Sequence, residues 1–460
     1  MSINTNPLYQ QQALETMRFV SIENDTRFPP VTASSGNSYN KTAQLVYDLS
    51  REQTNGLPFG AGPATDAFGR LRVSVPVTLL DSKQIYDKAS NAFDEATSGG
   101  ASSTFVTNDA LTLMSTVSSG DFAIRQTPIR FNYQPGKSLV GLFTGVMNPE
   151  TNIVKRIGFM RGLSATPHDV TEGLYFEAAS GHMAIVAQKL SGTAVTARVP
   201  QSAWNIDKMD GTGSSQISAD WSKAQIFSVD YEWLGVGKTR FGFYFNGRPY
   251  TVHEITHLNE LNTAYLSSPN FPVRYEIRQT GAGSGSMKHI CSSVIIEGSS
   301  EEQLVGQVFT ASTSASVACN TDAFYVVLAL RSNPSNPDLV NLLRTVDLLN
   351  VSSNGDGVYK IVINPTFSST PTWHTLNSSS FVQYTLGNGT ITATGGVDLL
   401  TKFVGRGTGA QTTESEANLF GLNGRFGTKI NGTPETIAIV CKGISNSATI
   451  WAAINFLQRA

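Results

Sequence analysis

The sequence predicts an all-β protein of two β-rich units, each of the sandwich or barrel type, behind a long irregular N-terminal segment. Only 15% of its 460 residues are charged, against about 25% in an average soluble protein, and Ser, Thr, Asn and 41 glycines take their place. Those residues favour turns and solvated strand faces over helices. Short strand-like stretches recur with turn signals about every 8–12 residues, a spacing typical of sandwiches and barrels. Such a composition is untypical of an intracellular metabolic enzyme.

The first 65 residues carry no regular strand pattern. They include the polar stretch TASSGNSYNKT and the turn-rich stretch NGLPFGAGPATD, and residues 6–19 are compatible with a short helix. A segment this long without a core of its own usually lies on a neighbouring chain or is disordered. We therefore interpret residues 1–65 as an extended arm for assembly or anchoring.

Strand patterns follow one another from residue 66 to about residue 300. In RFGFYFNGRPYTVHEI, Phe241, Phe243 and Phe245 share one strand face, and Asn246-Gly247 supplies the positive φ angles of a two-residue hairpin turn. This segment therefore predicts two antiparallel strands. Further strands are predicted in RLRVSVPVTLL, SSTFVTNDALTLMSTV, DFAIRQTPIRFNY, KSLVGLFTGVM, GLYFEAA, HMAIVAQKL, AVTARVP, NFPVRYEIRQ and MKHICSSVIIEG.

A second β-rich unit follows the candidate boundary GSSEEQLVG at 298–306. Its clear helix candidate is PDLVNLLRTVDLLN at 337–350, although the same letters are compatible with a strand pair. Strands are predicted in FYVVLALRS, YKIVINPT, FVQYTL, TITATGG, ETIAIVCKG and ATIWAAINFLQ.

Charge and cysteine content restrict the possible partners. A net charge of −2 gives the chain no overall attraction to nucleic acid or to a membrane surface. No apolar run approaches the roughly 18 residues that span a bilayer, and no signal peptide is predicted. The widely spaced Cys291, Cys319 and Cys441 make no zinc knuckle and are compatible with three buried free thiols or with one disulfide. We expect no nucleic-acid or membrane partner and no cofactor.

The stretch HEITH, residues 253–257, has the H-E-x-x-H spacing of zinc metalloproteases. That chemistry needs a helix, on which residues four apart lie on one face. Here the predicted hairpin runs directly into His253, and four residues of a strand span about 13 Å. His253 and His257 would then be too far apart to bind one ion. We expect no metal site and no catalytic residue, and HEITH is interpreted as the end of a strand with polar residues.

Two carbohydrate-related alternatives stay open at this point. A glycosidase would need two carboxylates close together. Asp and Glu residues are scattered through the predicted strands, and the sequence alone does not show which of them are neighbours. Any of five tryptophans would be able to stack on a sugar ring: Trp204, Trp221, Trp233, Trp373 and Trp451.

Several blocks of the sequence resemble a group of tailed-phage virion structural proteins, especially from marine and environmental phages. The resemblance covers about residues 65–300 and is weaker in the C-terminal unit. It is carried by TDAFGRLRVSVPVTLLDSKQIYD, FNYQPGKS, WNIDKMDGTG, VDYEWLGVGKTRFGFYFNG and PNFPVRYEI. It implies a structural or fibre-like virion component whose middle unit is similar to a concanavalin-like jelly roll.

We therefore expect an all-β chain with an N-terminal arm (1–65), a concanavalin-like jelly-roll sandwich (66–300) and a second β-sandwich domain (301–460). The expected function is non-enzymatic: a virion component of fibre, baseplate, collar or head-decoration type. It would assemble as a homo-oligomer, with a trimer as the first expectation, and contact other virion proteins. The rivals are a receptor-binding module for host surface glycan and, second, a zinc hydrolase or glycan depolymerase.

Six residues are the structural and assembly candidates. In DAFGRLRVS, alternation places Arg70 and Arg72 on one strand face and the apolar residues on the other, so that this stretch is a candidate contact between arm and sandwich. An ordinary edge strand is the alternative there. The full set is Phe68, Arg70, Arg72, Trp233, Phe241 and Asn246.

Overall fold

The protein is built from antiparallel strands. The computed structural model describes residues 31–32, 38–39, 76–162, 168–189, 196–234, 236–297, 306–407, 410–415 and 424–459. In these stretches the helices are two short 3₁₀ turns, Thr107–Asp109 and Gln201–Ala203. The predicted all-β class is therefore confirmed. None of the described helices has the length and hydropathy that a bilayer crossing requires.

The chain divides into two compact units. One unit is Met1–Thr65 with Gly69–Leu71, and the other is Asp66–Phe68 with Arg72–Ala460. The described part of the first unit is one antiparallel pair, β1 (Val31–Thr32) and β2 (Ser38–Tyr39). The helix candidate at 6–19 lies outside the described residues.

The N-terminal half of the second unit contains fifteen strands, which we call the first sandwich. They are β3 (Pro76–Lys83), β4 (Asp94–Ser98), β5 (Ser102–Val106), β6 (Leu111–Thr116), β7 (Phe122–Gln126), β8 (Leu139–Val146), β9 (Ile153–Arg161), β10 (Glu172–Ala179), β11 (His182–Gln188), β12 (Thr196–Pro200), β13 (Gln225–Tyr231), β14 (Lys238–Phe245), β15 (Arg248–Thr256), β16 (Val273–Gln279) and β17 (Gly285–Glu297). One sheet has the order β12-β11-β10-β9-β16-β7-β4, and the other has the order β15-β14-β13-β8-β17-β6-β5, with β3 beside β17.

The two sheets of the first sandwich pack face to face on an aromatic core, in a jelly-roll-like arrangement. Phe176 of the first sheet contacts Phe227 and Phe243 of the second, with ring centroids 5.1 and 5.0 Å apart. Further along, the rings of Phe143 and Phe159 meet edge to face at 5.2 Å. All five side chains are fully buried. Because strand side chains alternate between faces, one face of each of these strands points into this core.

The predicted hairpin is confirmed as β14 and β15. Phe245 pairs with Arg248, and the two residues between them have positive φ, 49° at Asn246 and 73° at Gly247. This is the turn that matches the twist of a two-stranded antiparallel ribbon. Asn246 therefore contributes to the fold through the backbone conformation that it adopts in this turn.

Replacing Asn246 by valine should destabilise the protein by about 1–2 kcal/mol, because a β-branched residue fits a left-handed backbone poorly. Asn246→Gly should stay within about 0.5 kcal/mol of the wild type, since glycine adopts this conformation freely. Urea denaturation measures both. Equal effects of the two substitutions would contradict the conformational explanation.

The second sandwich lies C-terminal to the first. Its strands are β18 (Gln307–Ser312), β19 (Val317–Cys319), β20 (Tyr325–Ser332), β21 (Val340–Asn350), β22 (Gly357–Ile363), β23 (Thr366–Phe367), β24 (His374–Thr375), β25 (Val382–Leu386), β26 (Ala393–Thr394), β27 (Val397–Val404), β28 (Ala410–Ser415), β29 (Arg425–Phe426), β30 (Thr436–Gly443) and β31 (Ala448–Arg459). One sheet has the order β18-β31-β21-β28, joined by β19 and β29, and the other has the order β24-β25-β20-β30-β22-β27. Strands β23 and β26 form a separate pair. Cys319 and Cys441 are buried free thiols in this sandwich, and Cys291 in the first sandwich is a half-buried free thiol.

The helix predicted at 337–350 is wrong. The segment forms β21, one long strand that pairs with β31 from Val340↔Arg459 to Asn350↔Ile450. Leucine favours a helix locally, but a partner strand satisfies the backbone and buries Val346 and Leu348 on one face.

Two sets of contacts join the sandwiches. The loop after β29 binds the first sandwich through its backbone: the Thr428 N–H donates to the Pro128 carbonyl (2.9 Å), and the Arg130 guanidinium donates to the Thr428 carbonyl (3.2 Å). The Ile430 N–H donates to the Asp94 carboxylate (3.0 Å). The Ile430 side chain lies in a buried apolar cluster with residues of β7. These groups form one side of the contact between the sandwiches.

The second set of contacts centres on Asp338 of the second sandwich. Its carboxylate pairs with Arg161 and lies 3.7 Å from the Nε of Arg130, and both arginines are buried. The Asp338 carbonyl also accepts a hydrogen bond from Asn270 (3.4 Å). A carboxylate that meets a buried cation on the other sandwich opposes separation, since separation would take this anion away from Arg130, whereas Arg161 keeps its ion pair with Glu172.

Candidate functional site

Three of the six candidate residues lie outside the described residues. They are Phe68, Arg70 and Arg72, so the contact expected between arm and sandwich stays a prediction. The other three belong to the first sandwich. Phe241 is fully buried in its core, and Trp233 is half-buried and donates its Nε1–H to the Leu266 carbonyl (2.9 Å).

The HEITH stretch lies on a strand, as predicted. Strand β15 extends to Thr256, so four of the five residues are extended. The Nδ1 of His253 accepts the backbone N–H of Asn205 (3.1 Å), and the His257 ring stacks on Tyr265 at 4.4 Å. Burial lowers the pKa of both imidazoles, which favours their neutral forms. Among the described residues, no group of three His, Cys, Asp or Glu side chains is arranged to hold a metal ion.

Zinc should therefore leave the unfolding temperature of the protein unchanged. The His253 nitrogen is already engaged, and on a strand the second histidine is too distant to share its ion. Differential scanning fluorimetry with and without zinc measures this. A zinc-dependent rise that disappears in His253→Ala or His257→Ala would contradict the strand interpretation.

The sheet containing β9, β10 and β16 carries a line of ionised side chains on its outer face, which we call the charged row: Arg198, Glu177, Arg156, Glu276, Arg274 and Arg278. At its centre, Glu276 is fully buried. Its carboxylate accepts hydrogen bonds from Arg156 (2.7 Å), from Arg274 (2.8 Å) and from Arg278. Burial alone would raise the pKa of Glu276, but these three guanidinium charges lower it well below its usual range.

Arg156 joins the two carboxylates of the charged row. It donates from Nε to Glu177 (2.9 Å) and from Nη1 to Glu276, and the opposite oxygen of Glu177 accepts from Arg198 (2.7 Å). The side chain of Arg198 is 43% exposed, so the row reaches solvent at this end. Each carboxylate is therefore held by at least two cations.

This geometry determines what the charged row is able to do. A general acid needs a carboxyl group that is protonated near neutral pH. The lowered pKa of Glu276 instead keeps it a carboxylate at neutral pH. The row is a rigid electrostatic support of the sheet. Sequence reasoning missed it, although the alternation of Arg274, Glu276 and Arg278 in VRYEIRQ places three charges on one strand face.

Trp221 lines a cavity of the first sandwich. Trp221, half-buried, forms part of the wall of a space of about 460 Å³, which we call the Trp221 pocket. The cavity lies beside the β10–β11 turn and the 3₁₀ turn Gln201–Ala203. Its lining residues are Pro149, Gly181, His182, Met183, Pro200, Gln201, Ser202, Asp210 and Trp221.

Two larger clefts lie between the sandwiches. One, of about 670 Å³, contains Asp94, Glu95 and Glu435 in its wall. Asp94 accepts the Ile430 N–H, Glu95 pairs with Arg125, and Glu435 accepts from backbone and amide donors. The other cleft, of about 780 Å³, lies beside Tyr133 and Phe381. In the first cleft these three carboxylates are engaged in hydrogen bonds or ion pairs.

No known protein family and no curated protein sequence matches the chain. Solved structures align with about half of it. The endo-β-1,4-glucuronan lyase of the fungus Trichoderma reesei is 11% identical, with a TM-score of 0.32, and the match covers 47% of this chain and 95% of the lyase. A legume lectin-like domain from Entamoeba histolytica is 10% identical, with a TM-score of 0.31 and coverage of 48% and 98%. The CBM2 module of the evolved Dit of Lactobacillus casei BL23 phage J-1 is 8% identical, with a TM-score of 0.31 and coverage of 49% and 96%.

Proposed function

We propose that the chain is a non-enzymatic structural component of a tailed-bacteriophage particle, acting through homo-oligomeric assembly and contacts with other virion proteins. The observation that carries the proposal is the contact between the sandwiches, where the carboxylate of Asp338 meets Arg161 and Arg130. Domains of one chain usually move relative to each other unless their interface is extensive or well fixed. Two sandwiches joined by buried ion pairs and backbone hydrogen bonds suit a permanent building block, and the sequence blocks that resemble those of virion proteins favour the same interpretation.

The charged row is compatible with the non-enzymatic part of the proposal. Its two carboxylates are arranged across a sheet, as in a glycan-cleaving site, but Arg156 bridges them and the pKa of Glu276 is lowered. Hydrolysis of a glycosidic bond requires one carboxyl group with a raised pKa. This pair therefore lacks the proton donor that a depolymerase would use.

Immunogold electron microscopy tests the virion role. Antibodies against the recombinant chain are applied to purified intact particles of the phage that encodes it and to particles opened by chelator or mild heat. Gold at one fixed position, in a copy number that is a multiple of three, would support assembly as a trimer. Detection of the chain in infected cells but on neither preparation would contradict a structural role.

The Trp221 pocket favours a second candidate function, recognition of host surface glycan. Such recognition is compatible with a place in the particle, because receptor binding and assembly use different surfaces. Its support is a preformed cavity that combines an aromatic wall with polar side chains, the composition typical of small-molecule sites.

A further inference from the structure

We propose that the Trp221 pocket binds one neutral hexose or N-acetylhexosamine unit of a glycan, with the sugar ring lying on the Trp221 indole. The inference rests on the second function proposed above and gives that function a place and a ligand class. It depends on three properties of the pocket: a fixed aromatic surface, a polar rim and a single negative charge.

The indole of Trp221 is held in one orientation. Its Nε1–H donates to the amide oxygen of Gln201 (3.3 Å), and the Gln201 amide nitrogen in turn donates to the Lys208 carbonyl (2.8 Å). Behind it, the ring meets Trp204 edge to face at 6.4 Å and Phe243 at 5.2 Å. A preorganised ring loses little entropy when a ligand binds. Gln201 is therefore a positioning residue.

An aromatic face attracts the ring C–H groups of a sugar, because the face of the π-system is negative and those hydrogens are slightly positive. Pro149 and Pro200 extend this apolar wall, and Met183, which is 1% exposed, closes its inner side. An apolar wall of this kind is suited to one face of a pyranose and leaves the hydroxyl groups at its edge for polar contacts.

The polar rim supplies those contacts. One oxygen of Asp210 accepts hydrogen bonds from the N–H (2.9 Å) and hydroxyl (2.6 Å) of Thr212, which fixes the carboxylate. These bonds also lower the pKa of Asp210, so that it is ionised at neutral pH and its second oxygen is a strong acceptor. His182 and Ser202, both exposed, add a ring nitrogen and a hydroxyl.

The charge of the rim selects the ligand class. Among the described residues that line the pocket, Asp210 is the one acidic side chain. A uronate or sialic acid would place a second carboxylate beside it, and like charges at close range are unfavourable. The volume of about 460 Å³ lies within the roughly 300–1,000 Å³ of small-molecule sites and suits a single sugar unit with part of its neighbour.

The test uses the full chain, labelled and applied to immobilised oligosaccharides. The panel contains neutral hexose and N-acetylhexosamine glycans and matched glycans that carry uronate or sialic acid. The affinity for the best neutral glycan is then measured by calorimetry for the wild type and four variants. We expect Trp221→Ala and Ser202→Tyr, which fills the pocket, to weaken binding at least about tenfold. Asp210→Asn keeps the turn with Thr212 and should weaken binding about threefold to tenfold.

Trp451→Ala is the matched control, since that tryptophan is 38% exposed on the second sandwich and does not line the pocket. It should bind like the wild type. Ser202→Tyr leaves the core contacts of Trp221 in place, so its effect separates loss of the site from loss of folding, which circular dichroism checks for every variant.

The outcomes separate the two levels of the proposal. Neutral-glycan binding that survives Trp221→Ala, Asp210→Asn and Ser202→Tyr would overturn the assignment of the pocket while glycan recognition stands. A preference for the uronate or sialic acid glycans would overturn the ligand class. Failure of the wild-type chain to bind any glycan of the panel would overturn glycan recognition itself.

Discussion

Glu276→Gln should destabilise the protein by about 3–5 kcal/mol, the loss typical of breaking a buried ion pair from one side. The substitution preserves the shape of the side chain but leaves Arg274, which is fully buried, without its anion. Arg156 and Arg278 lose their shared partner at the same time. Guanidinium denaturation followed by tryptophan fluorescence measures the change in the free energy of unfolding.

The matched control for this variant is Asp398→Asn. Asp398 pairs with Lys360 at 2.7 Å, but its side chain is 43% exposed, so water replaces the lost partner. We expect a change below about 1 kcal/mol. A comparable decrease in the free energy of unfolding in both variants would contradict a stabilising role for the buried ion pairs of Glu276.

The same residue makes stability depend on pH in a defined direction. Because the pKa of Glu276 is lower in the folded state than in the unfolded chain, its contribution is present above the unfolded value of about 4.3 and is lost as pH falls below it. The stability difference between wild type and Glu276→Gln should therefore be constant above about pH 5 and shrink below about pH 4. A difference that persists unchanged at low pH would contradict the charge-based explanation.

Gly427→Ala should have the second large effect, a destabilisation of at least about 3 kcal/mol, since overpacking between fixed backbones is not relieved by side-chain rotation. A Cβ at this position would lie 2.0 Å from the carbonyl oxygen of Pro128 on the other sandwich and 3.1 Å from the Cα of Ile129. The loop after β29 would have to leave the first sandwich. Thermal unfolding should then separate into two transitions, and limited proteolysis should release the sandwiches individually.

Gly405→Ala provides the control for this variant, because a Cβ there meets no atom within 4 Å. It should unfold in the same single transition as the wild type. Cooperative unfolding of Gly427→Ala at the wild-type temperature would show that the contact between the sandwiches is not rigid, and it would remove the main support for a rigid building block.

The sequence by itself determined the fold class and the local hairpin geometry. Alternating phenylalanines followed by Asn246-Gly247 gave both the strands and the turn, because strand alternation and a positive φ are local properties of consecutive residues. The same hairpin decided the interpretation of HEITH, since a strand that begins at the turn carries its extended backbone through His253.

Only the tertiary structure decided the conformation of residues 340–350, the charged row and the Trp221 pocket, because each of these depends on residues far apart in sequence. The leucine-rich sequence of β21 is compatible with a helix, and its partner strand β31 lies about a hundred residues further along the chain. The charged row combines Arg156, Glu177 and Glu276 from three strands, and the Trp221 pocket combines residues from positions 149 to 221. Five tryptophans look equivalent in the sequence. The packing of the sheets and loops places Trp221 at a cavity and buries Trp204 behind it. The burial of a side chain depends on neighbours that are distant in sequence, so the residue type alone does not predict it.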